Sequence, residues 1–237
     1  MTPRNILITG ASSGIGRATC IKLLKAGHRV IGIARDFSKF SCNDDAFTPV
    51  TLDLEAITTL PTQLQKLAKE QRNIDAVICC AGRGQFGSLE EFSYEQINAL
   101  INLNFTSQAY IARAFLPILK QQQRGTFIFI GSEAALQGSR KGSIYCATKF
   151  AVRGLAQALR DECSKSGVSV SIVNPGMVKS EFFEKLTFTH GDDAANYLLP
   201  EDVADAIALI INARAGTVLD EINLSPLKHV VQSKPAG

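Results

Sequence analysis

Short runs of β-branched and aliphatic residues alternate along this chain with longer stretches whose apolar residues repeat at helical spacing, and few folds accommodate that alternation. The short runs lie at 5–9, 29–34, 47–52, 76–80, 125–131, 168–174 and, more weakly, 217–224. The helical stretches lie at 14–26, 55–71, 94–122, 143–166 and 200–212, the last opening on a proline suited to a first helical turn. Strands that read as near-continuous apolar runs are buried on both faces, which is the condition of a parallel sheet between two layers of helix.

Right-handed crossovers between such strands predict one α/β domain over 1–237, a Rossmann-type, doubly wound parallel sheet of about seven strands with helices on both faces. Ligands of such sheets bind at the carboxyl ends of the strands near the first one. The one long stretch without periodicity, roughly 179–199, follows the sixth strand on that side and is expected to form a substrate lid. Its Phe182, Phe183, Phe188 and Tyr197 either line an apolar pocket or pack the lid onto the domain.

With 46% hydrophobic and 20% charged residues, the chain has enough apolar material for one well-buried core. A net charge of +3, scattered without a basic stripe, argues against nucleic acid as a partner. Cys20, Cys42, Cys79, Cys80, Cys146 and Cys163 show no paired C-x-x-C spacing and histidine is scarce, so neither a metal site nor a disulfide framework is expected. Met1 to Arg4 lead straight into the first apolar run, leaving no room for a signal peptide, and no stretch approaches the roughly 18 apolar residues of a membrane span. A cytoplasmic protein with no membrane partner is the expectation.

Between the first strand and the first helix stands Thr9-Gly10-Ala11-Ser12-Ser13-Gly14-Ile15-Gly16, where glycines let the backbone turn tightly and approach a pyrophosphate at the helix N-terminus. Tyr145 and Lys149, four apart, project from one face of a helix one turn apart. A nearby ammonium favours the phenolate, so the pair can bring a tyrosine toward acid–base use near neutrality. Ser132 ends the fifth strand, Asn104 sits in Asn102-Leu103-Asn104, and Asn174-Pro175-Gly176 ends the sixth strand.

Together these motifs resemble the short-chain dehydrogenase/reductase family, in order and at family spacing, from residue 5 to about 212. The resemblance implies an NADP(H)-dependent oxidoreductase that interconverts a carbonyl and a secondary alcohol on a small or apolar substrate by hydride transfer. Tyr145 would be the general acid and base, and Lys149 would lower its pKa and hold the cofactor ribose. Ser132 would hydrogen-bond the substrate oxygen, and Asn104 would support a water linking the lysine to solvent. Gly10, Ser12, Ser13, Gly14, Ile15 and Gly16 would line the pyrophosphate, Asp53 and Leu54 the adenine, and Ala81 and Gly82 the cofactor's central part. Pro175, Gly176, Val178 and Ser180 would meet the nicotinamide. Homodimers or homotetramers, common in the family, would form through the helices at 94–122 and 143–166, whose apolar faces could equally be intrachain core.

Two departures stand out. Cys80-Ala81-Gly82 replaces the family's N-A-G, removing an amide that helps fix the central strands, and Glu221 to Pro226 replaces the glycine-rich ending of fatty-acid ketoreductase members. The tail is similar instead to the branch acting on hydroxy acids or assorted small carbonyls. For cofactor choice, the carboxylate that binds the ribose 2′-hydroxyl in NAD sites is replaced by Ala34, with Arg35 next and Arg17 at the helix start. Two arginines with no nearby carboxylate would bracket a 2′-phosphate, although Asp36 could still reach a ribose hydroxyl. The rival reading is a catalytically silent sensor or scaffold, against which the intact Asn104, Ser132, Tyr145 and Lys149 argue.

Overall fold

The structure is a computed structural model that describes residues 2–38 and 40–234. Seven parallel strands form one sheet in the order β3-β2-β1-β4-β5-β6-β8: β1 (Asn5–Thr9), β2 (Arg29–Ala34), β3 (Phe47–Thr51), β4 (Ala76–Cys79), β5 (Gly125–Ile130), β6 (Val168–Pro175) and β8 (Glu221–Leu224). Among the described residues six α-helices cover it: α1 (Gly14–Lys25), α2 (Leu60–Glu70), α3 (Tyr94–Ile101), α4 (Ser107–Gln122), α5 (Ser143–Ser164) and α6 (Pro200–Ile211). The strand order reverses between β1 and β4, and the crevice of a doubly wound sheet opens at that switch point. Among the described residues no helix is long and apolar enough to cross a membrane.

The pleat sorts the core into two halves. Ile6, Ile8, Ile78, Ile128 and Ile130 face one side, where Leu23 of α1 and Ile207 of α6 meet them. Leu7, Val77, Phe127 and Phe129 face the other, against Leu64 of α2, Phe115 of α4 and Val152 of α5. Successive strand residues point to opposite faces, so apolar side chains at every position require helices on both. At the sheet edge, β3 carries Pro49 opposite Gly32 of β2.

Three elements differ from the sequence expectation. The helix expected from 55 begins at Leu60, because the Glu55 N–H is drawn to Asp53 Oδ1 (2.9 Å) and the chain turns before Pro61 enters the helix. The helix expected over 94–122 is interrupted by a π-helical turn, Asn102–Thr106, in which Ser107 Oγ donates back to the Leu103 carbonyl at 2.6 Å. The 179–199 stretch is not irregular throughout. It contains β7 (Phe188–His190), which pairs antiparallel with β9 (Val231–Ser233), so the end of the chain folds back over this segment.

The loop between β1 and α1 depends on close backbone packing. Gly10 has φ +67°, and a Cβ on Gly16 would stand 2.7 Å from the Gly10 carbonyl carbon, so helix and loop touch through glycine alone. Gly16→Ala is therefore expected to lower unfolding free energy in urea by about 1–3 kcal/mol, through overpacking against backbone that cannot give way.

Candidate active site

The carboxyl ends of β1, β4, β5 and β6 open into one cleft of about 1400 Å³. Of the residues singled out from sequence, Gly10, Ser12, Ser13, Gly14, Ile15, Gly16, Arg35, Asp53, Leu54, Ala81, Gly82, Ser132, Tyr145, Lys149, Pro175, Gly176, Val178 and Ser180 all line it. Arg17 and Asn104 do not.

At one end, α1 begins with no acidic residue in its first turn and no side chain capping it, so its free N–H groups and dipole favour an anion. A Cβ on Gly14, itself at φ +46°, would lie 3.5 Å from Ser180 Cβ, which brings the glycine loop and the segment after β6 face to face. The loop after β4 is held by Thr9 Oγ1, which accepts from the Ala81 N–H at 3.1 Å, and by Gln108 Nε2, which donates to the Ala81 carbonyl at 3.3 Å. These two side chains fix the strand end where the family's asparagine is replaced by Cys80.

The arginines differ from expectation. Arg17 turns to Glu181 at 3.1 Å, and Arg35 reaches Glu55 at 3.2 Å, so each guanidinium has the carboxylate that the sequence reading took to be missing. Glu55 also holds Arg83 at 3.0 Å, leaving two guanidinium groups on one carboxylate and a local excess of one positive charge. Asp36 spends both carboxylate oxygens on Ser38, accepting from its N–H at 2.7 Å and its hydroxyl at 2.6 Å.

Toward β5 and α5, Lys149 donates to the Ile130 carbonyl at 3.0 Å, and its Nζ lies 5.8 Å from the Tyr145 ring centroid. Both residues are 6% exposed. Burial pushes the Tyr145 phenol up to about 12, with a hydrogen bond from Ser132 pulling the other way, and burial brings the Lys149 ammonium down to about 8. The protein's own groups thus raise the phenol instead of lowering it: desolvation is the largest cause, and the hydrogen bond from Ser132, not the ammonium that the sequence reading relied on, is what opposes it.

Asn104 lies beneath the cleft, fully buried in the π-turn. Its Oδ1 accepts from the Arg83 N–H at 2.9 Å, and its Nδ2 donates to the Arg83 carbonyl at 2.9 Å and to Thr148 Oγ1 at 3.3 Å. This amide is committed to holding the loop after β4 against α5. Asn174 also serves structure, its Nδ2 donating to Glu221 at 2.7 Å and Asn223 at 2.9 Å to tie β6 to β8. The Gly176 N–H donates to the Leu224 carbonyl at 2.7 Å, so of the backbone groups expected on the nicotinamide this one is already spent.

Sequence reasoning missed Phe86, Glu133, Arg83 and the tail residue His229, all of which line the cleft. His229 Nε2 lies 3.3 Å from Glu133, the neighbour of Ser132. Lys234 caps the turn carbonyls of Phe183 and Glu184, so the tail fastens the segment that follows β6. Arg83 follows the Cys80-Ala81-Gly82 motif directly and could have been noticed there; the others carry no local signal.

Residues 4–190 match the family model described as short chain dehydrogenase. The sepiapterin reductase of Chlorobaculum tepidum is 29% identical, over 96% of this chain and 98% of that protein. The NADP-dependent 3-hydroxy acid dehydrogenase of Schizosaccharomyces pombe is 30% identical, over 94% and 92%. A short-chain dehydrogenase from Sphingobium yanoikuyae, solved in complex with NADPH, superposes with a TM-score of 0.83 at 28% identity, covering 97% of this chain and 89% of that one.

The depressed lysine makes a prediction about stability. Its pKa falls from 10.5 in the unfolded chain to about 8 in the folded one, so the folded chain binds fewer protons in that window. The cost of burying the ammonium is full below about 8 and fades as pH rises toward 10.5. The stability gained by Lys149→Met over the unmodified protein, measured in urea, should be greater at pH 7 than at pH 10 by about 2–3 kcal/mol.

Proposed function

Because this chain belongs to the short-chain dehydrogenase family, we propose that it is an NADP(H)-dependent oxidoreductase that interconverts a carbonyl and a secondary alcohol on a small or apolar substrate, with Tyr145 as general acid and base. The observation that carries this reading is the buried Tyr145–Lys149 pair with Ser132 on the phenol, in the same cleft as the glycine loop.

The cleft suits a dinucleotide. The uncapped start of α1 fits a pyrophosphate, Asp53 and Leu54 fit an adenine edge, and Lys149 is one turn from Tyr145, where ribose hydroxyls would lie. Bound NADPH would supply a hydride to the carbonyl carbon. The chain's part is the proton: with its pKa near 12 the phenol stays protonated at neutral pH, and Tyr145 can give that proton to the developing alkoxide while the Ser132 hydroxyl holds the oxygen. Asn104 keeps the loop after β4 and α5 in register behind them. The 179–199 segment, fastened by the tail, serves as the lid that excludes water.

The preference for the phosphorylated cofactor rests on charge. No carboxylate occupies the Ala34 position, and Asp36 is engaged by Ser38. Arg35 and Arg83 converge on Glu55, and a 2′-phosphate dianion can compete with that one shared carboxylate for their guanidinium donors. Arg17 reaches such a phosphate only by leaving Glu181. The Schizosaccharomyces relative is NADP-dependent by name and the Sphingobium structure holds NADPH, in keeping with this reading.

Two measurements test it. Tyr145→Phe should lower kcat about 10²-fold or more with any working carbonyl substrate while NADPH still binds, since only the proton donor is removed; retained turnover would overturn the role of Tyr145. The unmodified enzyme should show the higher kcat/KM with NADPH, and Ala34→Asp combined with Arg35→Ser should move the preference toward NADH. Higher kcat/KM with NADH before any substitution would refute the cofactor assignment.

A further inference from the structure

The hydroxyl of Tyr145 is reached past aromatic rings. Phe86 lies 5.0 Å from the Tyr145 ring, tilted by 46°, and Phe182 lies 6.0 Å from it, tilted by 59°. Phe188 meets Phe86 edge-on at 4.9 Å, and Phe183 stands edge-on behind Phe182 at 5.2 Å. The rings come from three parts of the chain: the loop after β4, helix α5 and the segment after β6. They meet at Gly84, where a Cβ would press on Phe182 and stand 3.0 Å from Phe86 Cε2, so glycine there is what lets the two walls close.

Phe86, Phe182 and Phe188 are only half-buried, and all three face the cleft. No pair among these rings stacks face to face: the contacts are edge-on or tilted, an edge-on contact covers one face of one partner only, and Phe86, Phe182 and Phe188 keep apolar surface toward the cleft. A core cluster of phenylalanines would bury that surface. Here Phe86 and Phe182 each pack against the ring of the group that protonates the substrate and line the cleft beside it, so a flat ring arriving there meets aromatic edges and faces that a saturated ring cannot engage. Edge-to-face and offset contacts reward an aromatic guest by a factor of about 2 to 10 per ring pair beyond its apolar area.

We propose that the substrate is an aromatic ketone, with its carbonyl carried one or two atoms from a flat ring that packs against Phe86 and Phe182. This rests on the oxidoreductase reading above and narrows it. The reaction is a two-electron reduction: one hydride from NADPH forms the new C–H bond, the carbonyl π pair becomes the O–H bond with the proton of Tyr145, and solvent restores that proton.

Phenylacetone and cyclohexylacetone test the proposal, because neither carbonyl is conjugated and the two differ only in the flatness and π-character of the ring. NADPH consumption by the unmodified protein should give a kcat/KM about tenfold higher for phenylacetone, carried mainly by KM. Phe182→Leu and Phe86→Leu keep apolar bulk and should each pull that ratio toward one. A ratio of one or below in the unmodified protein overturns the aromatic assignment, as does reduction of other carbonyl compounds with neither ketone accepted. If a broad panel of aldehydes and ketones is untouched, the oxidoreductase reading itself fails, and the substrate class falls with it.

Discussion

An ammonium buried without a carboxylate beside it is the constraint on which this site depends. Lys149 has one strong partner, the Ile130 carbonyl at the end of β5, and no carboxylate pairs with it among the described residues. Leaving that charge desolvated is unfavourable, and it persists because α5 is locked to the sheet by Val152, Ala156 and Leu159 in the same core half as Phe127 and Phe129. Tyr145 shares the helix and therefore shares the burial. The phenol's high pKa and the lysine's low one have a single cause, and both follow from where one helix is pressed.

The ligand-facing side is set by competition among charges. Glu55 serves two arginines and Glu181 serves a third, all at partly exposed positions where ion pairs contribute little. The carboxylates keep the guanidinium groups near the cleft without holding them tightly. Glu181 opens the segment after β6, while Arg17 sits in the first turn of α1, so this pair joins the most regular part of the fold to its least regular part.

The strands were legible because a sheet buried on both faces needs apolar residues at every position, and β1 and β2 follow their apolar runs to the residue. What local pattern could not show was anything decided by distant partners. The π-turn at Asn102–Thr106 keeps helical periodicity, so the sequence reads as one helix there; the interruption places Asn104 against Arg83 and Thr148. The three-residue strands β7 and β9 are too short to carry a period and find each other across more than forty residues. In the site, Ser132, Tyr145, Lys149 and the glycine loop were readable from motifs. Phe86 was not, because an isolated phenylalanine in a loop looks the same whether it faces solvent or a tyrosine. Arg17 and Arg35 were found as cations, but their carboxylate partners lie 164 and 20 residues away.

A parallel sheet must end somewhere, and its last strand presents hydrogen-bonding groups to whatever arrives. The inward set on β3 is fixed by Ala46, whose carbonyl accepts from Val30, and by Leu52, which donates to Ala34. By alternation Pro49 belongs to the outward set, so the edge lacks an N–H donor at the middle of the strand. An eighth strand from another chain would find its ladder broken there. A single imino acid thus interrupts the ladder that any further strand would need at this edge, three residues before Leu52 turns the chain toward the cleft.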